Sequence, residues 1–239
     1  MSGMLLWSTA YTSSNEEKQE DLLKKLISLA DDKIMSVRRI FAMMLADIFD
    51  LLGAQCFYNR IFDTAIHLFN DPLDSVKMSN IISFTILMPK MKDKVDESTK
   101  VFNLLRELSG DKSWRVRYAV VIEYPHLLHA ANSDDILQKL LIDLNNLLDD
   151  REPEVRLAAA KILSKMFSKE HPEHVENFFT ESMWERIENL ITNSDSDMGS
   201  TMVEQIGKIS LILSDHQYKE NFIPLLERVL KNTVRVFFF

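Results

Sequence analysis

Glycine is scarce in this chain: Gly3, Gly53, Gly110, Gly199 and Gly207 are all that 239 residues contain. With only six prolines beside them, the tight turns of a sheet protein would lack their usual residues, so the class expected is all-α. Cysteine is rarer still. Cys56 stands alone, no internal disulfide can form, and a reducing setting, cytoplasmic and also nuclear, is expected. No apolar run approaches the roughly 20 residues needed to cross a bilayer. The opening "MSGMLLWSTAYTSSNEEKQE" has a short apolar patch but lacks the basic flank of a signal peptide, so no membrane association is expected. Basic residues are outnumbered 28 to 36, for a net charge of −8. That balance argues against nucleic acid as a partner, because such binding rests on clustered Lys and Arg.

What the chain does contain is a repeat. Aligned on an acidic or amide anchor before a "VR"-like pair, the anchors are Asp32, Asp71, Asp111, Asp150, Asn193 and Asn232. Counting from these anchors exposes apolar columns. Nine residues before lie Leu23, Phe62, Phe102, Leu141, Trp184 and Ile223, and six before lie Leu26, Ala65, Leu105, Leu144, Ile187 and Leu226. Three before come Leu29, Leu68, Leu108, Leu147, Leu190 and Val229. After the anchor, Leu45, Phe84, Tyr124, Leu163 and Ile206 hold the thirteenth place, and Ile48, Leu87, Leu127, Met166 and Ile209 the sixteenth. Spacings of three line one face of a helix. Each unit therefore reads as helix A, a tight turn and helix B. A period near 40 with two helices is the signature of HEAT or armadillo arrays, in which no pair buries both its stripes unless its neighbours stack on it.

The expected fold is an all-α solenoid of about six HEAT repeats, the last incomplete. Residues 1–15 are expected to form a poorly ordered N-terminal segment. The array would then occupy 16–239, with repeats at about 16–52, 53–91, 92–130, 131–169, 170–213 and 214–239. Helix A is placed at about 16–30, 54–70, 94–109, 133–148, 175–192 and 216–231. Helix B is placed at about 34–52, 73–90, 113–130, 153–168 and 197–213. The sixth unit stops at "NTVRVFFF", where its helix B should begin, so a shortened form of a longer array is expected.

The turns carry the departures from pure packing. Asp32, Asp71, Asp111 and Asp150 are placed to cap helix B. Six residues after each stands a base, Arg38, Lys77, Arg117 or Arg156, able to reach the acid of its own or the next repeat in a structural ladder. Between anchor and valine the residues vary: "KIMS", "PLDS", "KSWR", "REPE". Met35 and Trp114 are expected to face solvent there. Successive turns would align into a partner-facing ridge of Met35, Arg39, Ser113, Trp114, Arg115, Glu152, Pro153 and Glu154, rich in the residue types found at interface hot spots.

"DKSWRVRYAVV" resembles the turn and helix B of the scaffold (A) subunits of protein phosphatase 2A, a HEAT-repeat family. "DDKIMSVRRIFAMMLADI", "LNNLLDDREPEVRLAAAKIL" and "NFIPLLERVLKN" keep the same order, so the likeness covers most of residues 16–236. The resemblance implies a non-enzymatic scaffold. Its central turns would hold a regulatory (B-type) subunit through the positions of Trp114, Arg115 and Arg39, and its C-terminal repeats would hold the catalytic subunit. Where the family often has proline ahead of "VRR", this chain has Met35, and the repeats that would carry the catalytic subunit are absent from the sequence. The other reading is a generic adaptor that grips an extended peptide on its helix-B side.

No cofactor, metal or catalytic group is expected. "HLLH" (His126, His129) and "HPEH" (His171, His174) lack further ligands for zinc. Cys56 carries no nucleophile signature. The methionines, among them Met43, Met44, Met78, Met88, Met91 and Met166, fall at helical spacing and read mostly as gap-filling core.

Overall fold

In the computed structural model the structure describes residues 2–131, 133–168 and 172–237, with side chains from residue 5 to residue 231 within those ranges. All regular structure among them is helical. The chain divides into two units, Met1–Ile136 and Leu137–Phe239.

The first unit begins with α1 (Ser2–Thr12), where a poorly ordered segment is expected from the sequence. Asn15 then starts α2 (Glu16–Ser28), its Oδ1 accepting from the Lys18 N–H at 3.1 Å. This cap and the acidic first turn of Glu16 and Glu17 explain why the helix starts there. Next come α3 (Met35–Met43) and α4 (Leu45–Arg60), bent by 57° at their junction. Gly53 breaks α4 with a positive φ of 77°, a conformation glycine reaches without Cβ strain. It separates helix B of the first repeat from helix A of the second, which continues through α5 (Phe62–His67). Three regular helices follow, α6 (Asp74–Leu87), α7 (Val95–Leu108) and α8 (Trp114–Ala130), with α7 packed on α8. The helix-B members pack side by side, α3 on α6 and α6 on α8.

The second unit holds α9 (Asp134–Leu147), which starts just ahead of the boundary, then α10 (Pro153–Ile162), α11 (Pro172–Phe178) and α12 (Glu181–Thr192). These are followed by α13 (Ser196–Ile209), α14 (Asp215–Gln217) and α15 (Ile223–Phe237). Here α10 packs on α13, and α12 on both α13 and α15. No single helix among the described residues is long and apolar enough to cross a membrane.

The columns become the core. Leu23, Phe62, Phe102, Leu141 and Trp184 are buried, as are Leu26, Ala65, Leu105, Leu144 and Ile187. So are all five residues of each helix-B column, from Leu45 to Ile206 and from Ile48 to Ile209. Each such burial is worth roughly 1.5–3 kcal/mol as an upper estimate. Aromatic side chains knit neighbouring layers, with Phe84 5.0 Å from Phe69 and 6.3 Å from Phe62 between ring centres.

Two expectations are corrected. Helix A of the fifth repeat is two helices, because the chain turns at Phe179 and Thr180. Phe178 and Phe179 tuck into a cluster with Phe167 and Trp184, at ring separations of 5.1–5.3 Å. In the sixth repeat a π-helical stretch, Tyr218–Phe222, leads into α15, which runs through Asn232 without a turn. Ile223 and Leu226 are exposed on it, although they fall in the apolar columns. Phe238 and Phe239 lie outside the described residues.

Candidate functional site

The turn between helices A and B is built the same way four times. The Oδ1 of Asp32, Asp71, Asp111 and Asp150 accepts from the backbone N–H two residues on: Ile34, Leu73, Ser113 and Glu152, at 2.7–2.9 Å. Those four residues are the N-caps of α3, α6, α8 and α10. The anchor acid therefore closes a small ring that aims the cap, and it does not cap the helix itself as expected from the sequence. The arginine six residues on secures the same loop from the other side. Arg38, Arg117 and Arg156 each donate Nη1 to the carbonyl of their own anchor at 2.7–2.8 Å.

Within the first unit this loop is bonded to the next. Arg38 donates Nε and Nη2 to the two carboxylate oxygens of Asp71, at 2.6 and 3.0 Å. Lys77 reaches Asp111 at 2.7 Å. Asp71 is 6% exposed and Arg117 4%, so these are interior groups. Burial pushes the Asp71 carboxyl up. The Arg38 hydrogen bonds, the Leu73 N–H and the charges of Arg38 and Lys77 outweigh it and hold the group below the ordinary carboxylate range. Asp111 behaves alike: burial raises it, while Lys77 and the Ser113 N–H lower it further.

A carboxylate depressed in the folded state contributes stability in full above its unfolded pKa, and that stability is lost as pH falls through the folded value. The urea midpoint is therefore expected to hold from neutral pH to about pH 4 and to fall steeply below it. Asp111→Asn is expected to flatten that fall, measured as midpoint against pH; an unchanged slope would show that Asp111 is not the linked group.

The ridge residues divide. Arg39 and Arg115 are exposed, and Met35 is exposed at the start of α3. Trp114 is half-buried, with the Arg115 guanidinium 4.8 Å from its ring centre, a cation–π stack. Met35 Sδ accepts from Ser75 Oγ at 3.4 Å, and Ser113 Oγ donates to Asp74 Oδ2 at 2.6 Å. Ser113, expected to meet a partner, thus has its hydroxyl committed to the neighbouring turn. In the second unit Pro153 and Glu154 border an open cleft with Asp195 and Asp197, while Glu152 is half-buried.

A surface beside the ridge went unread in the sequence. Eleven residues after the anchors stand Met43, Ile82 and Ile122, which are 59%, 43% and 38% exposed on α3, α6 and α8. Seven residues after stand Arg39, the half-buried Met78 and the exposed Tyr118. Their helices lie next to one another, tied at their starts by the Met35–Ser75 and Asp74–Ser113 contacts. The result is two parallel rows of largely apolar side chains crossing three helices. Met43 and Met78 read as core from spacing alone; Met88, Met91 and Met166 are core. The signal was present as an eleventh-place column, apolar in three repeats and Lys161 in the fourth.

The histidine pairs do not gather into a metal site among the described residues. No group of three His, Cys, Asp or Glu residues could hold an ion. His126 and His129 are exposed, His174 lies 3.7 Å from Glu173, and His171 is outside the described residues. Cys56 is half-buried.

No family model matches the chain. No curated protein matches it either. Among solved structures it is similar to a designed armadillo repeat protein in complex with the peptide (KR)4, at 18% identity and a TM-score of 0.55, covering 87% of this chain and 91% of that one. A computationally designed armadillo repeat protein for modular peptide recognition aligns at 18% identity and a TM-score of 0.50, over 87% and 92%. A further designed armadillo repeat protein aligns at 16% identity and a TM-score of 0.51, over 95% of each chain. These likenesses show an armadillo-type repeat solenoid. The phosphatase-scaffold resemblance rests on the sequence motifs alone.

Proposed function

We propose that the chain is a non-catalytic repeat adaptor that grips an extended segment of a partner protein across α3, α6 and α8. The observation that carries this reading is the exposed row of Met43, Ile82 and Ile122, backed by Met78 and Tyr118 on the same three helices. Apolar side chains aligned across packed helices form a contiguous surface, and such surfaces mark interaction sites on soluble proteins. Helices locked by side-chain bonds between turns present that surface with little ordering cost on binding. The peptide-bound solenoid among the structural neighbours supports the reading by analogy of fold.

The test is selection from a displayed library of extended peptides, followed by affinity measurement. Ile82→Glu and Ile122→Glu, both at exposed positions, are expected to leave the melting temperature within about 2 °C and to weaken the selected peptides by about tenfold or more. Binding that survives both substitutions would remove α6 and α8 from the site.

A second reading has its own support in the exposed Arg39 and Arg115 and in the "DKSWRVRYAVV" motif. In it the turn ridge holds a B-type regulatory subunit of protein phosphatase 2A, with the catalytic subunit as a further partner. Arg115→Glu is expected to abolish capture of a purified B-type subunit without changing the melt. Equal capture by wild type and variant, or none by wild type, would leave the peptide-gripping face as the sole reading.

A further inference from the structure

The elbow that splits helix A of the fifth repeat leaves a hole beside it. Because the chain turns at Phe179 and Thr180, α11 and the start of α12 stand away from α9, and a cavity of about 480 Å³ opens between them, wholly inside the second unit. Its walls are Leu141 and Ile142 of α9, Phe178 of α11 and Met183 of α12. Leu141, Phe178 and Met183 are buried, and Ile142 stands exposed at the rim. At one end sit Asn145 and Arg186, the latter being the only charged residue of the lining.

Arg186 has unspent hydrogen-bonding capacity. Its Nη1 donates to Asn145 Oδ1. Nη2 lies 2.7 Å from Asp149 Oδ2 but out of line for a hydrogen bond, and Nε is buried with no acceptor. A buried N–H without an acceptor is costly, more so on a charged group. The Asn145 amide spends its oxygen on Arg186, so its N–H groups are the part of it that can donate to a ligand. The Asp149 carboxylate is 72% exposed, so its hold on Arg186 is weak and easily exchanged.

We propose that this cavity is a binding site for a small apolar carboxylate. The ligand's hydrocarbon body would lie against Leu141, Phe178 and Met183. Its carboxylate would take donors from Arg186 and the Asn145 amide, displacing Asp149 toward water. The volume falls in the range of small-molecule sites, and an apolar wall with a few convergent polar groups is their usual make-up. Guanidinium matches a carboxylate with paired donors, which sets the class of ligand apart from alcohols and hydrocarbons of the same shape.

The test uses 2-naphthoate as probe and 2-naphthylmethanol as its neutral counterpart, read on the full chain by the NMR shift of the Met183 methyl group. Saturable movement of that methyl is expected with naphthoate, with the alcohol about tenfold weaker or more. Arg186→Gln is expected to erase the preference between the two. Asp149→Asn, at an exposed position, removes the competing carboxylate and is expected to tighten naphthoate severalfold, an effect that a merely greasy hole would not show. Should Arg186→Gln disturb folding, Asn177→Trp at the exposed rim of α11 fills the mouth while keeping Arg186, and is expected to block both probes. No saturable Met183 shift at millimolar naphthoate, equal affinity for the alcohol, or weaker binding in Asp149→Asn would each overturn the proposal.

Discussion

Asp71→Ala is expected to cost about 3 kcal/mol of stability, far more than the same change at Asp32. Asp71 accepts both donors of Arg38 and the Leu73 N–H while almost wholly buried. Removing it strands a guanidinium whose side chain is only 14% exposed, and frees the loop that aims α6. At Asp32 the same loop bond to Ile34 exists, and no cross-repeat base is bonded to it. The cost there is expected to be about 1 kcal/mol. Urea unfolding of the two variants tests the difference, and the full cost of Asp71→Ala corresponds to a melting drop of roughly 6–12 °C in a chain of this size. The pair also differs from an apolar filling. Replacing both partners, as in Arg38→Met with Asp71→Leu, is expected to recover more than half of the loss, because no buried charge is then left alone. A double variant as unstable as Asp71→Ala would mean that the loop bond to Leu73, and not the ion pair, dominates.

That ladder was legible from the six-residue spacing of acid and base, because both ends of each rung sit at fixed places in a repeat. Its chemistry was not. Spacing does not distinguish an acid that caps a helix from one that bonds the N–H two residues on, and only the backbone of Asp32, Asp71, Asp111 and Asp150 decides between them. The core was legible for a related reason. A helix presents every third or fourth residue to one side, so Leu45 to Ile206 and Ile48 to Ile209 had to share a face, and all are buried.

Spacing marks a face without saying what covers it. Met43, Ile82 and Ile122 form a column as regular as the buried ones, yet they stand exposed. The break at Phe179 and Thr180 was hidden for another reason. Phe178, Phe179 and Trp184 are all apolar at near-helical intervals, and the bend lets their rings cluster with Phe167, which lies just past the end of the preceding helix B.

Gly199 decides why the ladder ends in the fifth repeat. It stands where Arg38, Lys77, Arg117 and Arg156 stand in the others, and a Cβ there would lie 2.9 Å from the Ile191 carbonyl oxygen of α12. Main-chain oxygen cannot swing aside as a flexible side-chain end can, so helix α13 or α12 must move to admit even a methyl group. Gly199→Ala is expected to cost about 2 kcal/mol. Gly199→Arg, the change that a consensus of the repeats would recommend, is expected to cost about 3 kcal/mol, since the site is buried and a longer side chain meets the same carbonyl. Gly207, eight residues along the same helix, is exposed and has nothing within 4 Å of its notional Cβ. There alanine removes glycine's excess backbone entropy, and Gly207→Ala is expected to stabilise by about 0.5–1 kcal/mol. The same substitution on one helix should therefore change sign between two positions, as read by paired urea titrations. If Gly199→Ala stabilised as well, close approach of α12 would not be what excludes a side chain from that place.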